Sequence, residues 1–324
     1  MITRRTLLAG AAGAIAAPAF AQSTSWPDHN VRLIVPFPAG GSTDLLFRIL
    51  AERLKDKFGQ SFIVENRPGA GGNVGIDVVA KSPPDGYTIG GATISQFSMN
   101  QYLYSRMPYD SERDIMAPSL TYELPNVAVV AAKHVPVKTL GEFIAWAKAR
   151  PDGITIGSPG PGTTPHLSGV LFEARTGLKA VHVPFKGAAQ TIPAMLAGDV
   201  NFAVDNLASY ISQIESGNMR ALAVTSEQRW PTLPDVPTME EAGVKDFVIT
   251  SWAAYALPSA TPKAVIDKLS AAQQELAKDP AMQQRFLAAG ARILGSTPQQ
   301  AAAFAAKERV LWKELVRIAG LQPQ

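Results

Sequence analysis

The chain has 324 residues, 46% of them hydrophobic, no cysteine, and a formal net charge of +3. That length suffices for two domains with cores of their own, and the lack of thiols excludes disulfides and thiolate metal sites. Removing residues 1–21 would take away two arginines and no acid, lowering the balance to +1; no Lys/Arg cluster follows, so nucleic acid is not an expected partner.

In chain order, Arg4 and Arg5 precede a small-residue apolar run from Thr6 to Ala17 that ends in Pro18-Ala19-Phe20-Ala21. The run is about 12 residues, against roughly 20 for a bilayer span, and Ala19-Phe20-Ala21 suits small-x-small cleavage. Residues 1–21 therefore read as a signal peptide, Tat-like at Thr3-Arg4-Arg5-Thr6-Leu7-Leu8 and cut between Ala21 and Gln22, and the mature chain is expected in the periplasm.

Val31–Phe37 is a β-branched apolar run, followed by Pro38-Ala39-Gly40-Gly41 and a helix marked by Leu46, Ile49, Leu50 and Leu54 with Gly59 as its stop. A strand at Phe62–Val64, a loop at Gly69–Gly72, a short helix at Val74–Ala80 and a strand at Tyr87–Ala92 continue the alternation, which implies parallel pairing. Val127–Ala132 is another strand. From Leu140 the cycle restarts with a helix to Ala149, a strand at Ile154–Ser158 and a helix with Thr164 as N-cap and Pro165 after it. Strand Val181–Phe185, helix Ala188–Ala197, strand Phe202–Asp205, helix Leu207–Ser216 and strand Arg220–Thr225 complete this second unit. A strand at Val248–Leu257 leads to a helical tail, with helices starting at Thr261-Pro262 and Thr297-Pro298 and Gly320 closing the last. Two such units predict a ligand crevice beyond the carboxyl ends of their strands.

The segment Pro36 to Asp44 lies between a strand and a helix N-terminus, where unpaired N–H groups and the helix dipole favour an anion such as a carboxylate. Ser42 and Thr43 either cap the helix or donate to the ligand; the bland alternative is an ordinary capped turn. Ser158 to His166 repeats this logic: Thr164 reads as the cap, Ser158, Gly162 and Thr163 are freer to face a cleft, and His166 reads as making a structural hydrogen bond. Lys186 could meet a ligand or be a solvated loop charge, and Asp205 could meet a ligand or cap the next helix. Thr93 and Ser95, after the third strand, have the same ambiguity. Gly69 to Gly75 is not a dinucleotide fingerprint, because Val74 occupies the position of its last glycine, and neither a P-loop, a nucleophile elbow nor a metalloprotease motif occurs. No cofactor, metal or catalytic activity is expected.

Four stretches carry a family resemblance: Val35-Pro36-Phe37-Pro38-Ala39-Gly40-Gly41, Val64-Glu65-Asn66-Arg67-Pro68-Gly69-Ala70-Gly71-Gly72, Val183-Pro184-Phe185-Lys186-Gly187, and Arg220-Ala221-Leu222-Ala223-Val224-Thr225 with Leu233-Pro234-Asp235-Val236-Pro237-Thr238 after it. Together, and in this order, they resemble the Bug family, the extracytoplasmic binding proteins of tripartite tricarboxylate transporters. The resemblance implies a two-domain α/β Venus-flytrap of the type II periplasmic class, with residues 22–127 plus 253–324 forming a discontinuous domain and 128–252 an inserted one. It also implies a small organic carboxylate as ligand, membrane-embedded transporter subunits as partners and, as in other receptors that open and close, a monomer. On matching positions it makes contact candidates of Phe37, Ala39, Gly40, Gly41 and Ser42, of Ser158, Gly162, Thr163 and Thr164, of Phe185, Lys186 and Gly187, and of Asp205 as a selector of the ligand's distal end. The stretches Phe97–Gln101 and Asp114–Pro125 depart from the usual family pattern. Delivery of ligand to a sensor kinase instead of a permease is the alternative that the sequence leaves open.

Overall fold

The computed structural model describes residues 26–318 together with 321 and 323; the expected signal segment 1–21 and Gly320 lie outside them. The first unit runs β1 (Val31–Val35), α1 (Ser42–Phe58), β2 (Phe62–Asn66), a single 3-10 turn at Ala70–Gly72, α2 (Asn73–Ala80), β3 (Thr88–Thr93), a π-type turn at Ser95–Met99 and α3 (Asn100–Leu103). After β4 (Ile115–Met116) and the long β5 (Leu120–Ala131) come α4 (Leu140–Lys148), β6 (Ile154–Ser158), α5 (Thr164–Thr176), β7 (Ala180–Pro184), α6 (Ala188–Ala197), β8 (Phe202–Asn206), α7 (Leu207–Glu215) and β9 (Met219–Val224). The chain returns through β10 (Thr250–Pro258) to α8 (Lys263–Lys278), α9 (Pro280–Ala288), β11 (Arg292–Ile293) and α10 (Pro298–Ile318). Among the described residues, no helix is long and apolar enough to cross a membrane.

The sheet order is β2-β1-β3-β10-β5-β8-β6-β7, with β9 and β11 also on β5 and β4 on β10. Pairing is parallel where strands alternate with helices, in β2-β1-β3 and in β7-β6-β8. It is antiparallel at every contact of β10 with β3 and β5, and of β5 with β8 and β9. Strand β5 joins the two regions: its first half pairs with β10 as far as Pro125, and from Asn126 onward its partners are β8 and β9.

The apolar spacing in α1 buries Leu46, Phe47, Leu50 and Leu54 against β1, β3 and β10, and Gly59 in the left-handed region ends that helix as expected. Phe47 also explains a glycine in mid-strand, because a Cβ on Gly91 of β3 would lie 2.7 Å from its ring. In the other region Phe143, Phe172 and Phe202 stack at centroid distances of 4.3 to 6.3 Å under α4 and α5.

Three local expectations are corrected. Strand β5 begins at Leu120, seven residues before Val127, since Leu120, Thr121 and Tyr122 are as buried as the apolar run and pair with β10 and β11. The N-cap of α5 is Thr163, whose backbone is extended and whose hydroxyl accepts from the His166 N–H, so Thr164 is the first helical residue. Thr261 does not cap α8; its hydroxyl turns back onto the Pro258 carbonyl, and the helix starts at Lys263. Thr297 behaves as expected, accepting from the Gln300 N–H at the start of α10.

Candidate ligand-binding site

The residues preceding four helices meet at one place. Gly41 before α1, Thr163 before α5, Gly187 before α6 and Asn206 before α7 all line a cavity of about 50 Å³ beyond the carboxyl ends of the parallel strands. Glycine at two of these positions offers no side-chain acceptor, and α1, α6 and α7 have no side-chain cap hydrogen bond. First-turn N–H groups have no acceptor within their own helix, so these three helices turn their first-turn donors and positive dipole ends towards the cavity; of these the Ser42 N–H of α1 is taken by Ser209. Such a place suits an anion.

Asp205, at the end of β8, is the one carboxylate among the described residues lining the cavity. It is 1% exposed; its Oδ1 accepts from the Asn206 N–H at 2.7 Å and its Oδ2 from the Tyr210 hydroxyl at 3.0 Å. Burial outweighs both hydrogen bonds and pushes its carboxyl up to about 7. Asp205 therefore holds a proton over part of the neutral range, and it satisfies its own strand end instead of capping α7.

A buried polar network supports the cavity from below. The Asn126 amide donates to Ser168 at 2.8 Å, and the Asn206 amide donates to the Asn126 oxygen at 2.5 Å and to the Ser251 hydroxyl at 2.8 Å. Ser251 also bonds the Thr164 hydroxyl, so β5, β8, β10 and α5 are tied together at one point. Across the cavity, the Ser42 N–H donates to the Ser209 hydroxyl at 2.9 Å, and the two hydroxyls lie 2.7 Å apart, linking α1 to α7.

Of the residues expected at a ligand, Phe37, Gly41, Ser42, Thr93, Ser95, Thr163, Thr164, Gly187 and Asp205 line this cavity. Phe185 and Lys186 line an adjoining recess of about 510 Å³, which shares Phe37, Pro38, Pro159 and Thr163 with the cavity. Ala39, Gly40, Ser158 and Gly162 line neither. The Gly40 N–H is taken by Asp44 at 3.0 Å, Gly162 packs against Asn100 and Tyr104, and Ser158 is fully buried with its hydroxyl on His182 at 2.7 Å. The N–H and hydroxyl of Thr93 are both committed to Gln96, at 2.8 and 3.0 Å. Nδ1 of His166 is buried without the expected hydrogen-bond partner; its ring lies instead against that of His182, centroids 4.7 Å apart. Sequence reading missed Tyr122, Leu124, Ser209, Ser251 and Trp252, which lie on strands and a helix without loop or motif signals.

The model of the tripartite tricarboxylate transporter family receptor, TctC, matches residues 46–321. Protein BugT of Bordetella pertussis is 36% identical over 311 residues, 96% of this chain and 94% of BugT. R. palustris Rpa4515, solved with adipate, superposes with a TM-score of 0.90 at 34% identity over 92% of this chain and all of the other. The periplasmic binding protein BugD gives 0.87 at 34% identity over 92% of this chain and all of its own. The fold is thus that of the TctC and Bug periplasmic binding proteins, with the helix N-termini of both sheet regions turned onto one cavity, and the chain belongs to the tripartite tricarboxylate transporter receptor family.

Proposed function

We propose that the protein is a periplasmic solute-binding protein that captures a small organic carboxylate and delivers it to the membrane-embedded subunits of a tripartite tricarboxylate transporter. The observation that carries this reading is the meeting of four helix N-termini at a cavity with no Lys or Arg among its lining residues. A carboxylate would be held there by backbone N–H groups and dipoles, already oriented and already desolvated, without the rotamer entropy of a long basic side chain. Asp205 would meet the ligand's other end and favour a group able to donate a hydrogen bond, because an ionised Asp205 repels a second carboxylate while a protonated one accepts it. Adipate in Rpa4515 is a ligand of this class.

In this reading residues 1–21 direct export and are removed, and the mature chain works as a monomer. Residues 22–127 plus 253–324 close against 128–252 around the ligand, with β5 and β10 as the crossings. Thermal denaturation of residues 22–324 in the presence of dicarboxylates, hydroxy acids, acidic amino acids and aromatic carboxylates tests it. A ligand at about 100 times its Kd stabilises the folded state by about 2.7 kcal/mol, which moves the melting temperature by several degrees. A shift with one acid supports capture. No shift with any of them, in protein shown by mass spectrometry to carry no co-purified ligand, overturns it. Uptake of that acid lost on deletion of the gene supports delivery, and uptake unchanged overturns it.

A further inference from the structure

Next to the cavity, a chain of hydrogen bonds runs from the half-buried imidazole of His182 to the loop 159–163. His182 Nε2 lies 2.7 Å from the Ser158 hydroxyl, and the Gly160 N–H donates to the same oxygen at 3.1 Å. The Gly160 carbonyl accepts the Thr163 hydroxyl at 2.7 Å, and Thr163 lines the ligand cavity and caps α5. Pro159, next to Ser158, lines the cavity as well, and the Pro161 carbonyl accepts the Tyr104 hydroxyl from the other sheet region at 3.4 Å. One loop thus touches the ligand site and bridges the two sides of the cleft, and Ser158 anchors it.

Burial decides the direction of the Ser158–His182 bond. Ser158 is 0% exposed, so its proton needs an acceptor inside the protein. With Gly160 already donating to Oγ, a neutral His182 that accepts at Nε2 satisfies the hydroxyl, and a protonated ring does not, since both its nitrogens are donors. Protonation would force Oγ to accept twice and leave the serine proton without a partner in a place water does not reach.

We propose that His182 is a positioning residue for the ligand loop: its neutral imidazole holds loop 159–163 in place through Ser158, and acid releases the loop and weakens ligand binding. The titratable groups facing His182 are on α5. His166 lies with its ring centroid 4.7 Å away, and Glu173 lines the same small void while accepting from the Ala180 N–H at 3.1 Å. Burial holds both histidines below their usual range, His166 the more strongly, at about 4. The transition of His182 therefore falls below the ordinary histidine value of 6.5.

The Gly160 amide reports on the loop without any ligand. In amide-resolved NMR of residues 22–324 between pH 8 and pH 5, its signal should move with the same midpoint as the His182 ring carbons. In Ser158→Ala the ring still titrates while Gly160 ceases to follow it, and in His182→Gln, whose amide oxygen can accept from Ser158 at any pH, Gly160 stays fixed. A Gly160 signal that does not move with pH in the wild type, or moves equally in either variant, overturns the proposal. The ligand arm rests on the carboxylate-receptor reading and uses adipate, with calorimetry at pH 7.5 and pH 5.5. Wild type should lose affinity on acidification about fivefold or more beyond what His182→Gln loses, the variant cancelling protonation of adipate itself. Equal losses overturn the link to binding. If adipate binds neither protein at pH 7.5, it is the choice of ligand that has failed, and the Gly160 titration alone decides the role of His182.

Discussion

Asp205 is costly where it stands. Its carboxyl is raised from 3.8 to about 7 by burial, so between these values the folded state holds a proton that the unfolded chain has released. Stability from this residue is complete below about pH 4 and declines as the pH rises towards 7, reaching its full deficit above that. A shift of this size corresponds to on the order of 4 kcal/mol. Asp205→Asn, isosteric and neutral, should therefore melt several degrees above wild type at pH 8 and at the same temperature at pH 4. A variant that is no more stable at pH 8 than at pH 4, relative to wild type, would show that Asp205 is not strained by burial. Residues that cost stability and line a cavity are the mark of a site kept for binding. The position of Asp205 at a strand end before a helix was legible in the sequence; its burial beside Tyr210 was not, because an i to i+5 contact across a strand–helix corner leaves no periodic signal.

At the scale of elements, helices and parallel strands were legible because their periodicities and stop residues are local. Gly59, Gly198 and Gly217 end or follow helices in the left-handed conformation that favours glycine. What failed was also local competition: Thr163 and Thr164 are both good caps, and the outcome was decided by Ser251, a residue of β10 that takes the Thr164 hydroxyl. The same network hid Asn126, an unremarked polar residue inside β5, which is 0% exposed and holds Ser168 and Asn206. Asn126→Ala would leave the Ser168 hydroxyl and one proton of the Asn206 amide short of a partner, at a cost of about 2–4 kcal/mol. Urea denaturation should show a lower midpoint at an unchanged slope. A midpoint within error of wild type would mean that the network repairs itself around the gap.

At the scale of the molecule, sequence alternation revealed two α/β units but not how they are joined, since an antiparallel pair of crossing strands, β5 and β10, has no local signature distinct from an ordinary buried strand. The join matters for the proposed function because the two regions meet again at the candidate cavity. Ser209 of α7 supplies two contacts there, accepting from the Ser42 N–H at 2.9 Å and bonding its hydroxyl at 2.7 Å. A hydrogen bond contributes only about 0.5–1.5 kcal/mol net, so both together weigh about 1–3 kcal/mol. That is the size of the gap between conformers that a ligand can bias. Ser209→Ala should therefore shift the unliganded protein towards an open form, read as a larger radius of gyration in small-angle scattering. With saturating ligand the radius returns to the wild-type value, because the ligand supplies the missing contacts. Affinity should fall about 5- to 150-fold, the same free energy being drawn from binding. A radius unchanged without ligand would place the balance between open and closed forms in the β5–β10 crossing itself and not in the contact of α1 with α7.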